Sequence, residues 1–202
     1  ARIIVAGGME NMTRAPFLLE KARQGYRLGH GELTDSLIKD GLWDVYNQFH
    51  MGNAGELCAA RYQFSRQQVD DFAMESYSRA REAITAGSFT REIVPVEVPQ
   101  KKGAPLIVVD DEEPNRVDLS RLRQLKPVFQ DDGVLTVGNS PSCNDGAAAL
   151  VVMAEEEAHR IGLPPMARIV GYAGAALAPE WFTIAPIDAI RRLLKQTELT
   201  VS

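Results

Sequence analysis

The sequence holds few of the residues that staple, ligate or anchor a chain. Its 202 residues include two cysteines, Cys58 and Cys143. Two thiols do not make a disulfide framework, so the expectation is a reducing compartment, most simply the cytoplasm. The three histidines, His30, His50 and His159, are not connected by metal-ligand spacing, so no metal site is predicted. No apolar run approaches the roughly 20 residues that a membrane-spanning helix needs, and no membrane partner is expected. No basic, apolar, cleavage-site pattern opens the chain, so no secretory signal is read. Lys and Arg number 22 against 27 Asp and Glu, for a net charge of −5, and no long basic run stands out. That balance excludes a nucleic-acid footprint while leaving room for a local cationic patch. Internal repeats and low-complexity segments are absent too.

What is present is ordinary globular material, 45% hydrophobic. The chain opens on Ala1 and runs at once into Ile3-Ile4-Val5-Ala6, closed by Gly7-Gly8. This reads as a buried strand of a parallel sheet, and as the middle of a domain rather than a loose terminus. An excursion loop with Gly25, Gly29 and Gly31 follows, then a short helix from Asp35 to Lys39 ending at Gly41. Asn53 and Glu56 have capping-box spacing ahead of Leu57, Ala60 and Arg61. The clearest helix starts at Ser65 and Gln68, also a capping-box pair, and stops at Gly87. Val69, Phe72, Ala73, Tyr77, Ala80 and Ile84 share its predicted core face. Ile93–Val98, with Pro95 marking an edge or bulge, is expected to pair with Leu106–Val109 across Lys101-Lys102-Gly103. Ala147–Met153 reads as a second apolar strand, followed by a helix from Glu155 to Ile161 and a stop at Gly162. Ala167–Tyr172 reads as a third buried strand. Pro186 then opens a last helix with Ile187, Ile190 and Leu194 on one face. Strand-helix material thus occurs at both ends, with an irregular α+β insertion between.

Several segments are more specific. Val5-Ala6-Gly7-Gly8-Met9-Glu10-Asn11-Met12, Phe49-His50-Met51-Gly52 and Ser65-Arg66-Gln67-Gln68-Val69-Asp70-Asp71-Phe72-Ala73 form one set. Lys126-Pro127-Val128-Phe129, Gly138-Asn139, Asn144–Ala149 and Ala167–Tyr172 complete it. In this order they closely resemble the thiolase family over essentially the whole chain. The resemblance implies an α/β fold: a layered αβαβα core, only partly present, with an inserted α+β loop domain. On that map residues 1–11 and 144–163 belong to the first thiolase half, 12–143 are the loop domain, and 164–202 begin the second half. It also implies a homodimer or homotetramer, with Phe17 to Gly31 in the region of tetramer contacts.

Thiolases use a cysteine thiolate as acyl acceptor, a histidine to activate it, and a second cysteine to move a proton. The resemblance puts the nucleophile before residue 1. It puts the Gly-His-Pro and Cys-x-Gly-Gly-Gly motifs after residue 202. This chain is therefore expected to be a central piece without catalytic residues of its own. Its substrate would be acetyl-CoA or another acyl-CoA thioester, with no covalently bound cofactor. The contacts that the resemblance implies are on the binding side. Leu42, His50 and Met51 fall on or near the coenzyme A loop. Arg116 and Arg121 fall near the adenine and phosphate end, where Arg123 and Lys126 add charge. Phe129 and Val137 match the apolar slot for the pantetheine arm. Pro141, Ser142 and Cys143 occupy its channel, Pro141 standing where the family often has serine. Phe182, beside Trp181, replaces a methionine of the acyl region. Two other classes remain open. One is a catalytically inactive coenzyme A-binding or oligomerising module. The other is a cysteine hydrolase built on Cys143 and His50.

Overall fold

The computed structural model describes residues 1–201. The described chain divides into two compact units. One comprises Ala1–Cys58 together with Cys143 onward, and the other comprises Ala59–Ser142.

The first unit is organised on a long two-stranded ribbon. Strand β1 (Ile3–Asn11) pairs with β8 (Asp145–Met153), from Ile3↔Met153 to Asn11↔Asp145. The pairing is antiparallel, which corrects the parallel expectation. The ribbon is also exposed; Val151, for example, keeps 62% of its surface. A continuous apolar run signals a strand covered on both faces, and among the described residues no third strand joins the sheet. Gly7 is required by the pairing, because a Cβ there would lie 2.4 Å from the carbonyl oxygen of Ala148. The ribbon end is clasped by Asp145. Its carboxylate accepts from the Thr13 N–H at 3.0 Å and the Thr13 hydroxyl at 2.7 Å.

Two short ladders follow, β2 (Phe17–Leu18) with β3 (Thr34–Asp35), and β4 (Trp43–Asp44) with β5 (Phe49–His50). Between β3 and β4 lies a π-type helical segment, Leu37–Leu42, slightly later than the helix predicted from Asp35. After β8 come α4 (Glu155–Arg160) and, further on, α5 (Ala185–Thr197), which Pro186 opens as predicted. Ala167–Tyr172 forms no strand. A β segment needs ladder partners for its N–H and C=O groups, and among the described residues no strand pairs with it.

The second unit rests on α2 (Arg66–Thr85). Its capping box forms as read: Gln68 N–H donates to the Ser65 hydroxyl, and Ser65 N–H donates to the Gln68 side chain. Gly87, at φ +69°, follows the helix end. Val69, Ala73, Tyr77, Ala80 and Ile84 of the predicted face are half-buried, and the departures from it are Phe72 and Asp70. Phe72 is 78% exposed, while Asp70 is 1% exposed. Beyond α2, β6 (Val96–Val98) pairs with β7 (Leu106–Val108) through Gly103 at φ +88°. Pro95 stands just before this ladder, where its missing N–H costs no bond. A one-turn helix α3 (Glu113–Arg116) and a 3-10 segment, Leu119–Gln124, bring the chain back to α2.

The described chain exposes 16625 Å². Many apolar side chains are uncovered, such as Met9 and Leu28.

Candidate functional site

Helix α1 (Met51–Tyr62) begins two residues before the predicted Asn53 cap. The reason lies in the β4–β5 hairpin that feeds it. Asp44 closes the hairpin turn by accepting from the N–H groups of Tyr46 (2.8 Å) and Asn47 (3.0 Å) and from Asn47 Nδ2 (2.7 Å). The Asn47 side-chain bond, followed by these backbone bonds, holds the Asp44 carboxyl below the usual carboxylate range. Gln48 takes a left-handed φ of +59° and completes the turn. His50 is thereby delivered to the head of α1, where its Nδ1 accepts from the Gly52 N–H at 3.0 Å. An accepting Nδ1 carries no proton, so the neutral imidazole holds its proton on Nε2. Met51 opens the helix half-buried, and half-buried Leu42 ends the π-type segment just before β4.

Phe182 sits on the 3-10 segment Pro179–Ile184, which is kinked at Trp181 (φ −105°, ψ 15°). Glu180 of that segment accepts from Asn47 Nδ2 at 3.4 Å, so the hairpin before His50 and the turn bearing Phe182 are neighbours. Phe182 is 40% exposed.

The cationic residues of the second unit fall into two groups. Arg116 pairs with Glu112 at 2.7 Å, and Arg123 pairs with Asp71; both pairs are exposed. Arg121 and Lys126 form no ion pair among the described residues. Arg121 projects from the 3-10 segment that Asp118 caps, accepting from the Ser120 N–H (3.0 Å) and hydroxyl (2.6 Å). The hydroxyl bond is the main cause of the lowered Asp118 pKa. On the other side of α3, the Tyr77 hydroxyl donates to Glu113 at 3.0 Å. Partial burial, then this carboxylate, pushes its ionisation above the ordinary tyrosine value. A shallow depression of about 420 Å³ lined by Ser78, Arg81, Glu82, Thr85, Ala86 and Leu119 contains none of the predicted site residues.

Phe129 is half-buried and Val137 is exposed. Pro141 is exposed, Ser142 half-buried and Cys143 exposed. Beneath this stretch lies a buried polar network that sequence reading missed. Asp70 accepts from Arg66 Nε and from Asn139 Nδ2, each at 2.8 Å. The available signal was the spacing of Asp70 to Ala73 and Tyr77, which places the carboxylate on the inward stripe.

Cys143 has no hydrogen-bond partner among the described residues, and His50 Nδ1 is engaged in capping α1. A thiol–imidazole dyad needs the two within hydrogen-bond reach, so the hydrolase expectation has no support. Among the described residues no group of three or more His, Cys, Asp or Glu is placed to hold a metal. No described helix is long and apolar enough to cross a membrane.

Residues 1–156 match the family model described as Thiolase, N-terminal domain. Acetyl-CoA acetyltransferase 2 of Arabidopsis thaliana is 48% identical over 202 residues, covering 99% of this chain and 50% of that protein. An acetyl-CoA acetyltransferase of Pseudomonas aeruginosa is 47% identical over 195 residues, covering 96% of this chain and 50% of that protein. The crystal structure of the Bacillus anthracis acetyl-CoA acetyltransferase matches with a TM-score of 0.93 at 36% identity. That match covers 100% of this chain and 51% of the other. The chain thus has a partial thiolase-like α/β fold, and it spans about half the length of the curated relatives it matches.

Proposed function

The chain belongs to the thiolase family, and on that premise we propose that it supplies the coenzyme A-binding side of an acyl-CoA acyltransferase. The reaction is Claisen condensation or its reverse, thiolysis, with acetyl-CoA and acetoacetyl-CoA as substrates. The observation that carries this reading is the similarity, over nearly the whole chain, to two proteins named acetyl-CoA acetyltransferase.

In this reading residues 12–143 are the loop domain, flanked by 1–11 and 144–163 of one thiolase half and 164–202 of the next. Arg116 and Arg121 meet the phosphates of coenzyme A, where a cation gains a charge-assisted bond. Of the two, Arg121 is the readier, because Arg116 must first leave Glu112. Phe129, Val137, Pro141 and Ser142 serve the pantetheine arm. Leu42, Met51, Cys143 and Phe182 serve the arm and the acyl group. His50 acts there through the Nε2 proton, since its Nδ1 is committed to α1. Acyl transfer requires a thiolate nucleophile and an acid–base pair. No residue of this chain is assigned those roles, so the 202 residues bind without turnover.

A second reading is a coenzyme A-binding or oligomerising module. The apolar exposure of Phe17, Leu19, Leu28 and Leu33 favours it, through assembly as a homodimer or homotetramer. Compartment follows the two free thiols, which suit the cytoplasm or another reducing space.

The test uses the purified 202-residue chain in two assays, calorimetric titration with coenzyme A and thiolysis of acetoacetyl-CoA. Binding without thiolysis is the expected result. Thiolysis would show that the nucleophile lies within this chain, with Cys143 and Cys58 the first residues to replace. Absence of binding would remove the coenzyme A role, and sedimentation equilibrium would then decide for or against the assembly module.

A further inference from the structure

We propose that buried Asp70, acting with Arg66 and Asn139, is a positioning residue that sets segment 119–139 on α2 and so fixes the backbone beneath Arg121 and Val137. The ligand half of the inference rests on the coenzyme A reading above; the tether half rests on hydrogen-bond geometry alone.

All three side chains reach main-chain groups of that segment or one another. Arg66 Nε donates to Asp70 Oδ2 at 2.8 Å, and its Nη2 reaches the carbonyls of Leu122 (3.3 Å) and Leu125 (2.9 Å). Asn139 Nδ2 donates to Asp70 Oδ1 (2.8 Å) and to the Val134 carbonyl (2.9 Å). Its Oδ1 accepts from the Thr136 N–H at 2.7 Å. Four main-chain groups, spread from Leu122 to Thr136, are therefore referred to one carboxylate through two side chains. Leu122 and Thr136 are themselves buried, at 1% and 0% exposure. Gly138 closes the arrangement. Its N–H donates to the Thr136 hydroxyl at 3.2 Å, and a Cβ there would lie 2.6 Å from Leu125 Cδ1.

A buried ion pair contributes little net stability against hydrophobic groups of equal volume, because desolvation offsets its Coulomb gain. What the network does supply is a unique backbone arrangement in which every partner is specified. The residues immediately beside its anchor points, Arg121 before Leu122 and Val137 after Thr136, are both exposed. The network thus holds the backbone from below while leaving these side chains outside for a ligand. Sub-ångström placement of such contacts is what preorganisation requires.

The experiment compares the wild-type chain with Arg66→Lys and Asn139→Ala. Lysine keeps a charge beside Asp70 but loses the guanidinium reach to the two carbonyls, so it carries the test if Asn139→Ala does not fold. Binding is read by calorimetry with 3′,5′-ADP and with pantetheine, at a temperature where far-UV circular dichroism shows the variant folded. Arg66→Lys is expected to weaken 3′,5′-ADP about tenfold and pantetheine little. Asn139→Ala, beside Val137, is expected to show the reverse bias. Amide deuterium exchange is expected to rise across 119–139 with residues 73–85 still protected. Unchanged affinities in folded variants, with only a lower melting temperature, would overturn positioning and leave a structural role. If the wild-type chain binds neither probe, the coenzyme A reading fails by itself. Exchange across 119–139 then decides the tether: a rise in the variants supports it, and no change overturns it.

Discussion

The β1–β8 ribbon and the α2 region solve the same problem differently. The ribbon is apolar in sequence, regular and long, yet all its side chains but those of Val152 and Met153 remain exposed. The α2 region has short ladders and a charged helix, yet it buries Leu122, Thr136 and Asp70 almost completely. Hydrogen bonding between two strands is satisfied by the pair itself, whereas burial needs a third layer. The α2 region has its layer in segment 119–139, held by a polar network rather than by a large apolar core. Regular secondary structure and a closed core are therefore separate achievements in this chain, and apolar composition secures neither.

The strongest way to break this contrast is Asp70→Ala. It leaves Arg66 and Asn139 donors without their carboxylate, and the α2 region is expected to lose about 3 kcal/mol. Both tryptophans, Trp43 and Trp181, lie in the other unit. Urea unfolding followed by far-UV circular dichroism should shift, while the tryptophan-fluorescence transition should move less. Equal shifts by both probes would mean that the two regions unfold together.

A smaller effect probes the ribbon. Gly7→Ala drives a Cβ to 2.4 Å from a main-chain oxygen that cannot rotate away. A loss of about 2 kcal/mol is expected. Gly8→Ala meets nothing within 4 Å and should stay within about 0.5 kcal/mol of wild type. Thermal melting of the two variants checks the register directly, because a one-residue slip would exchange their effects.

The smallest effect concerns the clasp. The Thr13 N–H, then the Thr13 hydroxyl, lower the Asp145 pKa. A carboxyl depressed in the fold stabilises it above the unfolded value of about 3.9, and that contribution is lost as pH falls through the lower folded value. Thr13→Val removes the hydroxyl and keeps the N–H. The Asp145 titration followed by carboxyl-carbon NMR should therefore move up, but not fully to the ordinary value. An unmoved titration would leave the hydroxyl without a role.

Much of the local structure was legible because its causes are local. Ser65 and Gln68 bond each other's backbone within one turn. Gly87, Gly103 and Gly162 supply the positive φ their turns need. Pro186 needs no partner N–H in a first helical turn. The family resemblance came from ordered short segments, and the comparisons bear the family out. Illegible parts depend on residues distant in sequence. Asn53 looked like a cap because the hairpin that delivers His50 was not visible. Ala167–Tyr172 looked like a strand because its composition suits one, but a strand exists only with a partner.

By itself, the sequence determined the family, the position of the long helix and the turns, because each is written in neighbouring residues. Only the tertiary structure decided the antiparallel register of β1 with β8. The same is true of the burial of Asp70 and the capping use of His50 Nδ1. Such features are set by which groups meet across the fold, where a single hydrogen-bond partner or a missing layer changes what a residue does.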